Sequence, residues 1–162
     1  LKARGRSSGA QVEAVAALFN RAGIDTSLSD DVDSLLWSKL VVNVGINALT
    51  ALMRVPNGVL ARYPTCEGLM ADAVVEAVAV ARSLGIAMDE EQQLARVRQV
   101  CTLTAANRSS MLQDILRGTA TEIEVINGAV VARGLVTGIP TPVNSLLTRL
   151  VKALEATASD RI

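Results

Sequence analysis

A lysine and two asparagines recur at intervals of four in one apolar segment of the chain. Lys39, Asn43 and Asn47 occupy positions i, i+4 and i+8, so on a helix they form a polar stripe along one side. Nearly every other residue between positions 36 and 49 is apolar, which predicts a helix buried on all sides. An ammonium and two carboxamides are costly there unless polar groups meet them. One proton donor with two orienting amides suits a small anionic ligand that bears a carbonyl or hydroxyl group.

Each of these residues also has a purely structural interpretation. Lys39 alone is a surface lysine whose stem covers apolar neighbours, and Asn43 and Asn47 are core amides. Their common register favours a functional stripe instead. Asn57 stands between Pro56 and Gly58, where turn chemistry explains it without a ligand.

A second group of polar residues lies further along the chain. Ser109 and Ser110 precede a helical segment and are natural N-caps, and Thr121 and Glu124 have the spacing of a capping box. Glu122, in the first turn of the helix that this box predicts, suits the helix dipole. On composition alone, capping explains these residues better than catalysis does.

The composition excludes several classes of site and partner. The 162 residues include no histidine, which excludes Ser-His-Asp triads, Cys-His nucleophiles and His-ligated metal sites. The formal charge is zero, so there is no basic field for nucleic acid. The uncharged apolar run at residues 40–53 is too short to span a bilayer. Cys66 and Cys101 show no metal-binding spacing, and we expect reduced core thiols in a cytoplasmic protein.

The elements that must position these residues are predicted to be helices. Half of the residues are apolar, yet Phe, Trp and Tyr occur once each, so the core must be built from Ala, Val and Leu. Residues 24–29 are predicted as a short strand, which as a lone strand would leave both edges unpaired and indicates the tail of an α/β domain. Periodicity and turn residues predict helices at residues 11–22, 33–53, 65–84, 90–106, 110–117, 121–135 and 143–156, with a short helical piece after the turn at residues 56–58.

Four segments together resemble the C-terminal half of the ketopantoate reductases (2-dehydropantoate 2-reductases), and the resemblance runs over residues 9–156. It implies a mainly α fold, a helical bundle of the 6-phosphogluconate dehydrogenase C-terminal-domain type. Residues 1–30 would be the tail of a missing dinucleotide-binding domain, a short α/β Rossmann remnant, and residues 31–162 a helical substrate-binding domain. The segments are residues 36–52, Pro56-Asn57-Gly58, Ser109-Ser110-Met111-Leu112-Gln113-Asp114 and Thr121-Glu122-Ile123-Glu124-Val125-Ile126-Asn127-Gly128.

The resemblance also implies roles for individual residues. Lys39 matches the catalytic lysine, the general acid that protonates the ketone oxygen as hydride reaches the carbon. Glu122 matches a glutamate that contacts the cofactor. The residues that match substrate-binding positions are Asn43, Asn47, Asn57 and Ser110.

The implied activity is NADPH-dependent reduction of a 2-keto acid, with 2-dehydropantoate as the expected substrate in pantothenate and CoA biosynthesis. The chain has no GxGxxG loop after a strand, so we expect NADP to bind mainly to a domain outside it and the fragment alone to be inactive. The alternatives are a related 2-hydroxyacid dehydrogenase with another substrate and a non-catalytic helical dimerisation module.

The expected partners follow from the same considerations. A chain without its dinucleotide-binding domain would expose the apolar faces of the first helix and of residues 24–28, and such surface is commonly buried by association. This favours a homodimer. The other expected partner is a small-molecule 2-keto acid, and no nucleic acid, membrane or metal is expected.

Overall fold

The computed structural model describes residues 9–29 and 31–160. Over these residues it contains seven α-helices and no strand. Short 3₁₀ helices lie at Asn57–Val59 and Ala158–Asp160. The mainly α fold expected from the sequence is confirmed. The helices are α1 Gly9–Arg21, α2 Val32–Met53, α3 Pro64–Ser83, α4 Glu90–Leu103, α5 Ser110–Arg117, α6 Asn127–Thr137 and α7 Pro142–Ala156.

The chain divides into two compact units, Leu1–Leu36 and Trp37–Ile162. In the first unit, residues 24–29 are neither helix nor strand. The carboxamide of Asn20 donates to the Thr26 carbonyl and accepts from the Thr26 N–H, both at 2.8 Å. The predicted strand is therefore wrong, because these hydrogen bonds tie the segment back to the end of α1 rather than to a sheet.

Apolar side chains of the first unit are exposed, as the sequence predicts. On α1 they include Leu18, which is 57% exposed, and beyond the helix Ile24, which is 56% exposed. Association through this surface stays a prediction.

The core of the second unit is built from small and aliphatic side chains, as expected. Its fully buried residues are mainly Val and Ala with some Leu, Ile and Met. Tyr63 is exposed, and Trp37 is only partly buried against the core. Helix α3 is central, since it packs against α4, α6 and α7, and α6 packs on α7.

Two glycines permit close approaches in this unit. A Cβ added at Gly45 in α2 would lie 2.9 Å from Val74 Cγ2 of α3 and 3.1 Å from Val97 Cγ1 of α4. This side of α2 therefore packs on α3 and α4. A Cβ added at Gly58 would lie 2.6 Å from the Cβ and 2.8 Å from the Cα of Ala105, whose carbonyl accepts the Gly58 N–H at 3.1 Å.

We expect Gly58→Ala to lower the free energy of unfolding by about 1–3 kcal/mol, because the new methyl group meets backbone that cannot move aside. Urea unfolding followed by circular dichroism measures the change. The control is Gly68→Ala on α3, where an added Cβ meets nothing within 4 Å and should stabilise the helix by about 0.5–1 kcal/mol. Equal stability of the Gly58→Ala and wild-type proteins would contradict the prediction.

Helix α2 is long and apolar enough, by length and composition, to cross a membrane, and it is the one such helix in the described ranges. Its most apolar window has a mean hydropathy of 1.4, and half of that window is buried inside the structure. A core helix that is buried inside a protein meets the same criteria of length and composition, so a single helix of this kind is weak evidence for a membrane span.

Both cysteines are free thiols. Cys101 is fully buried in α4, with its Sγ 3.8 Å from Met70 Sδ. Burial raises the pKa of the Cys101 thiol to about 11, so near neutral pH it behaves as a small apolar side chain. The prediction of a core thiol is confirmed for Cys101, whereas Cys66 is only half-buried.

Residues 121–126 are not helical, with turns at residues 123–126, and α6 begins after them. The Thr121 hydroxyl accepts from the Ile123 N–H at 3.2 Å, and the Thr121 N–H donates to Glu155 of α7 at 2.6 Å. Glu124 pairs with Lys152 of α7, and this ammonium holds the pKa of the Glu124 carboxyl below its usual value. The predicted capping box is wrong, because α7 supplies partners to both of its residues.

Candidate functional site

Helix α2 is held from its buried side by polar as well as apolar contacts. The Ser38 hydroxyl donates to Gln93 Oε1 of α4 at 3.2 Å, and the Val44 carbonyl accepts from Asn127 Nδ2 of α6 at 3.3 Å. Gly45 faces α3 and α4. At about 3.6 residues per turn, the Lys39 stripe lies on roughly the opposite side of α2 from Gly45.

The polar stripe exists as the periodicity predicts, because α2 is one continuous helix over Val32–Met53. Burial increases along it: Lys39 is exposed, Asn43 is half-buried and Asn47 is only 6% exposed. The prediction of a helix buried on all sides is wrong at the Lys39 end. The neighbouring helices cover α2 mainly from residue 41 onward and on the Gly45 side, which leaves the start of the stripe open.

The stripe's two carboxamides have unused hydrogen-bonding capacity. Within residues 9–29 and 31–160, neither the Asn43 nor the Asn47 side chain makes a hydrogen bond to another protein group. The amide atoms of Asn43 and Asn47 are also not among the fully buried side-chain atoms that lack a hydrogen-bond partner. Both amides therefore keep donor and acceptor groups that no protein group in the described ranges uses.

A pair of hydroxyl groups brings α5 to this same face of α2. Thr50 lies about three helical turns beyond Lys39 and so shares its face. Its Oγ1 lies 2.7 Å from the Oγ of Ser109, and both side chains are buried. Ser109 is also the N-cap of α5, accepting from the Leu112 N–H at 3.1 Å. Ser110, the exposed first residue of α5, is thereby set near the far end of the stripe.

Asn57 lies in the 3₁₀ helix after α2 and is 7% exposed. Its Nδ2 donates to Thr104 Oγ1 at 3.0 Å, and its backbone N–H donates to the Asn107 carbonyl at 3.0 Å. Its Oδ1 is buried and has no partner in the part of the chain that the structure describes. These contacts hold Asn57 against residues 104–107, in the loop that leads to Ser109 and Ser110.

Glu122 lies in the turns that precede α6, and its side chain is exposed. Its backbone carbonyl accepts two turn hydrogen bonds of 3.1 Å. Among the described residues its carboxylate has no hydrogen bond or ion pair. The hydrogen bond from Asn127 to the Val44 carbonyl ties this part of the chain to α2 next to Asn43. The structure thus brings the start of α6 to α2, and it shows no hydrogen bond between the Glu122 carboxylate and the stripe.

The structure contains a buried polar network, centred on Asn144, that the sequence did not predict. Asn144 of α7 is fully buried; its Nδ2 donates to the Ala73 carbonyl at 3.0 Å and to Glu76 Oε2 at 2.7 Å. Its Oδ1 accepts from Asn127 Nδ2 at 2.9 Å, and that nitrogen also donates to Val44. Glu76 in addition accepts backbone N–H groups at the start of α7, at 2.8 and 2.9 Å. The network joins α2, α3, α6 and α7.

The side chains brought together can donate hydrogen bonds and one proton. In the described ranges no group of three or more His, Cys, Asp or Glu residues could hold a metal ion. One face instead presents the Lys39 ammonium, two carboxamides and, at its far end, the start of α5 with Ser110. Such groups can bind a carboxylate and protonate an oxygen atom.

Comparison with known proteins identifies relatives of this chain. A family model for the ketopantoate reductase PanE/ApbA C terminal matches residues 31–155. A 2-dehydropantoate 2-reductase of Halobacterium salinarum is 43% identical over 143 residues, covering 88% of this chain and 47% of that protein. The chain spans about half the length of the curated relatives it matches.

Solved structures show the same arrangement of helices. A PanE/ApbA family ketopantoate reductase from Ralstonia eutropha JMP134 has a TM-score of 0.85 at 36% identity, covering 91% of this chain and 49% of that one. D-mandelate dehydrogenase with NADH and anilino(oxo)acetate has a TM-score of 0.90 at 28% identity, covering 96% of this chain and 65% of that one.

Proposed function

Because the chain belongs to the ketopantoate reductase C-terminal family, we propose that it is the substrate-binding and catalytic domain of an NADPH-dependent 2-keto acid reductase. The proposed substrate is 2-dehydropantoate, reduced to pantoate in the cytoplasm. The observation that carries the proposal is the 2.7 Å contact between the Thr50 and Ser109 hydroxyls, since it brings Ser109, the residue before Ser110, to the face of α2 that bears Lys39.

In this proposal Lys39 is the general acid. NADPH, when bound, supplies a hydride to the ketone carbon. The Lys39 Nζ donates a proton to the ketone oxygen and then regains one from solvent. A cation aimed at that oxygen also stabilises the negative charge that develops on it. The exposure of Lys39 supports the role, because both the substrate and solvent protons can reach the amine.

The substrate-holding groups are proposed to be the three asparagines and Ser110. Ser110 would hold the substrate carboxylate, because an anion is favoured in the first turn of a helix. Asn43 and Asn47 would orient the carbonyl toward the incoming hydride. Asn57 would accept a substrate hydroxyl at Oδ1, which with the Oδ1 of Asn127 is one of two buried oxygens that lack a partner in the described residues; this oxygen would have to become accessible when the substrate binds.

NADP is proposed to bind mainly to a domain outside this chain. We assign residues 1–30 to the end of that dinucleotide-binding domain and residues 31–162 to the substrate-binding domain; the family match beginning at residue 31 supports this boundary. Glu122 fits the edge of such a cofactor, because an exposed carboxylate without a side-chain partner among the described residues can accept from a ribose hydroxyl. The chain alone should turn over no substrate.

A 2-hydroxyacid dehydrogenase with another substrate is the second candidate. It is supported by the TM-score of 0.90 to D-mandelate dehydrogenase, which exceeds the 0.85 to the Ralstonia enzyme despite the lower identity. A helical module that only dimerises is a third reading, which would need neither Lys39 nor Ser110.

A panel of 2-keto acids separates these functions. With the full-length polypeptide that carries this chain and a dinucleotide-binding domain, we expect the highest kcat/KM for 2-dehydropantoate with NADPH. Trimethylpyruvate lacks only the substrate's hydroxyl group and should react at least about tenfold less efficiently, because a buried acceptor is then left unpaired. The measurement is oxidation of NADPH and of NADH. A preference for phenylglyoxylate would favour the second candidate, and no oxidation of either cofactor would favour the dimerisation module.

A further inference from the structure

Three arginines flank two adjoining cavities beside α5. Arg54 and Arg108 line a cavity of about 360 Å³, and Arg108 and Arg117 line a neighbouring cavity of about 580 Å³. The cavities share Ala106, Arg108 and Leu116 and therefore form one groove, which we call the arginine groove. None of the six residues proposed for keto acid reduction lines it.

The charge of the arginine groove is not balanced by the protein. No acidic side chain lines either cavity. All three arginines are exposed, and the ion pairs found among the described residues involve other side chains. Arg117 donates to the neutral Gln113 Oε1 at 3.2 Å. In a chain of zero formal charge, three guanidinium groups around one groove are a marked local excess of positive charge.

The backbone of Arg54 adopts a left-handed conformation, which is strained for a residue with a side chain. Its φ is +54°, and it is the one non-glycine residue with positive φ in the described part of the chain. It terminates α2, where the Val55 N–H donates to the Thr50 carbonyl at 3.2 Å. Glycine adopts this conformation without the strain that a side chain brings. An arginine at this position therefore adds charge to the groove while it destabilises the fold.

We propose that the arginine groove binds a small polyanion that carries phosphate groups. Guanidinium forks bind phosphate oxygens in pairs of parallel hydrogen bonds, and three of them match a ligand with at least two negative charges. Arg108 borders both cavities, so its guanidinium group can reach a ligand in either of them. Leu112 and Leu116 in the lining accommodate an apolar part of the ligand beside its phosphates.

Titration of the 162-residue chain with sodium pyrophosphate in a calorimeter tests the proposal. We expect saturable binding at about 20 mM salt, weakening as salt screens the guanidinium groups. Arg108→Ala should raise the Kd at least about tenfold, because this side chain serves both cavities. The matched control is Arg133→Ala, an exposed arginine of α6 outside the groove, which should leave the Kd within about twofold.

Arg54→Gly separates binding from folding. It removes a guanidinium group and also relieves the left-handed backbone, so we expect a higher Tm together with a Kd raised about three- to tenfold. Citrate, a carboxylate anion of high charge, should bind more weakly than pyrophosphate. Equal Kd values for Arg108→Ala and Arg133→Ala, or no saturable binding of pyrophosphate, would overturn the proposal. Tighter binding of citrate would overturn its assignment to phosphate.

Discussion

We expect Lys39→Ala to lower kcat/KM for 2-dehydropantoate by about 10²–10⁴-fold in the proposed full-length reductase, the range typical for removal of a general acid. Most of the loss falls on kcat, because the ammonium interacts most strongly with the oxygen once charge has developed there. Steady-state oxidation of NADPH measures both constants. The other residues proposed to bind the substrate remain in place, so KM should change less.

The matched control is Lys152→Ala. Lys152 is also exposed, but it lies on α7 and pairs with Glu124 rather than with the stripe. Loss of such a surface pair should leave kcat/KM within about twofold. If Lys39→Ala retained activity within about tenfold of the wild type, Lys39 would not be the general acid.

Asn144→Ala should lower the free energy of unfolding by about 2–4 kcal/mol. The change removes three side-chain hydrogen bonds that Asn144 makes to Ala73, Glu76 and Asn127, each worth about 1 kcal/mol or more when a buried partner is left unsatisfied. Three helices, α3, α6 and α7, lose a shared connection. Urea unfolding followed by circular dichroism gives the value from the transition midpoint and slope.

Asn107→Ala is the control for this substitution. Asn107 is exposed, and its backbone carbonyl, which alanine retains, accepts the hydrogen bond from the Asn57 N–H. We expect a change within about 0.5 kcal/mol. A similarly small change for Asn144→Ala would mean that its buried network contributes no net stability.

Helix ends were predictable where neighbouring residues in the chain cap them. Asp89 accepts from the Gln92 N–H at 2.8 Å at the start of α4, and Ser109 does the same for Leu112 at the start of α5. Gly118 ends α5 in a left-handed conformation with φ of 69°. These interactions are local, so the residue types and their spacing carry the information.

Predictions failed where a distant helix supplies the partner. Thr121 and Glu124 have the spacing of a capping box, but Glu155 and Lys152 of α7 bind them instead. The exposure of Lys39 has a related cause. Composition showed an apolar helix, but it did not show on which side of that helix α3 and α4 would pack.

The candidate site was predictable only in part for the same reason. Periodicity places Lys39, Asn43 and Asn47 on one face, and Thr50 continues that face one turn further, a signal that was available in the sequence. Its partner Ser109 could not be identified from spacing, because it lies on a different element. The buried pairing of Asn127 with Asn144 likewise arises from how α6 packs on α7.

The contact between Thr50 and Ser109 also has a consequence for folding. It joins positions 59 residues apart, with α3 and α4 in the intervening loop, so closing it is entropically costly compared with forming any single helix. We therefore expect the helices to form before α5 docks on α2. By the same reasoning, we expect denaturant to separate α5 from α2 while most of the helical content persists, so that a ligand held between these two helices would be lost before the secondary structure.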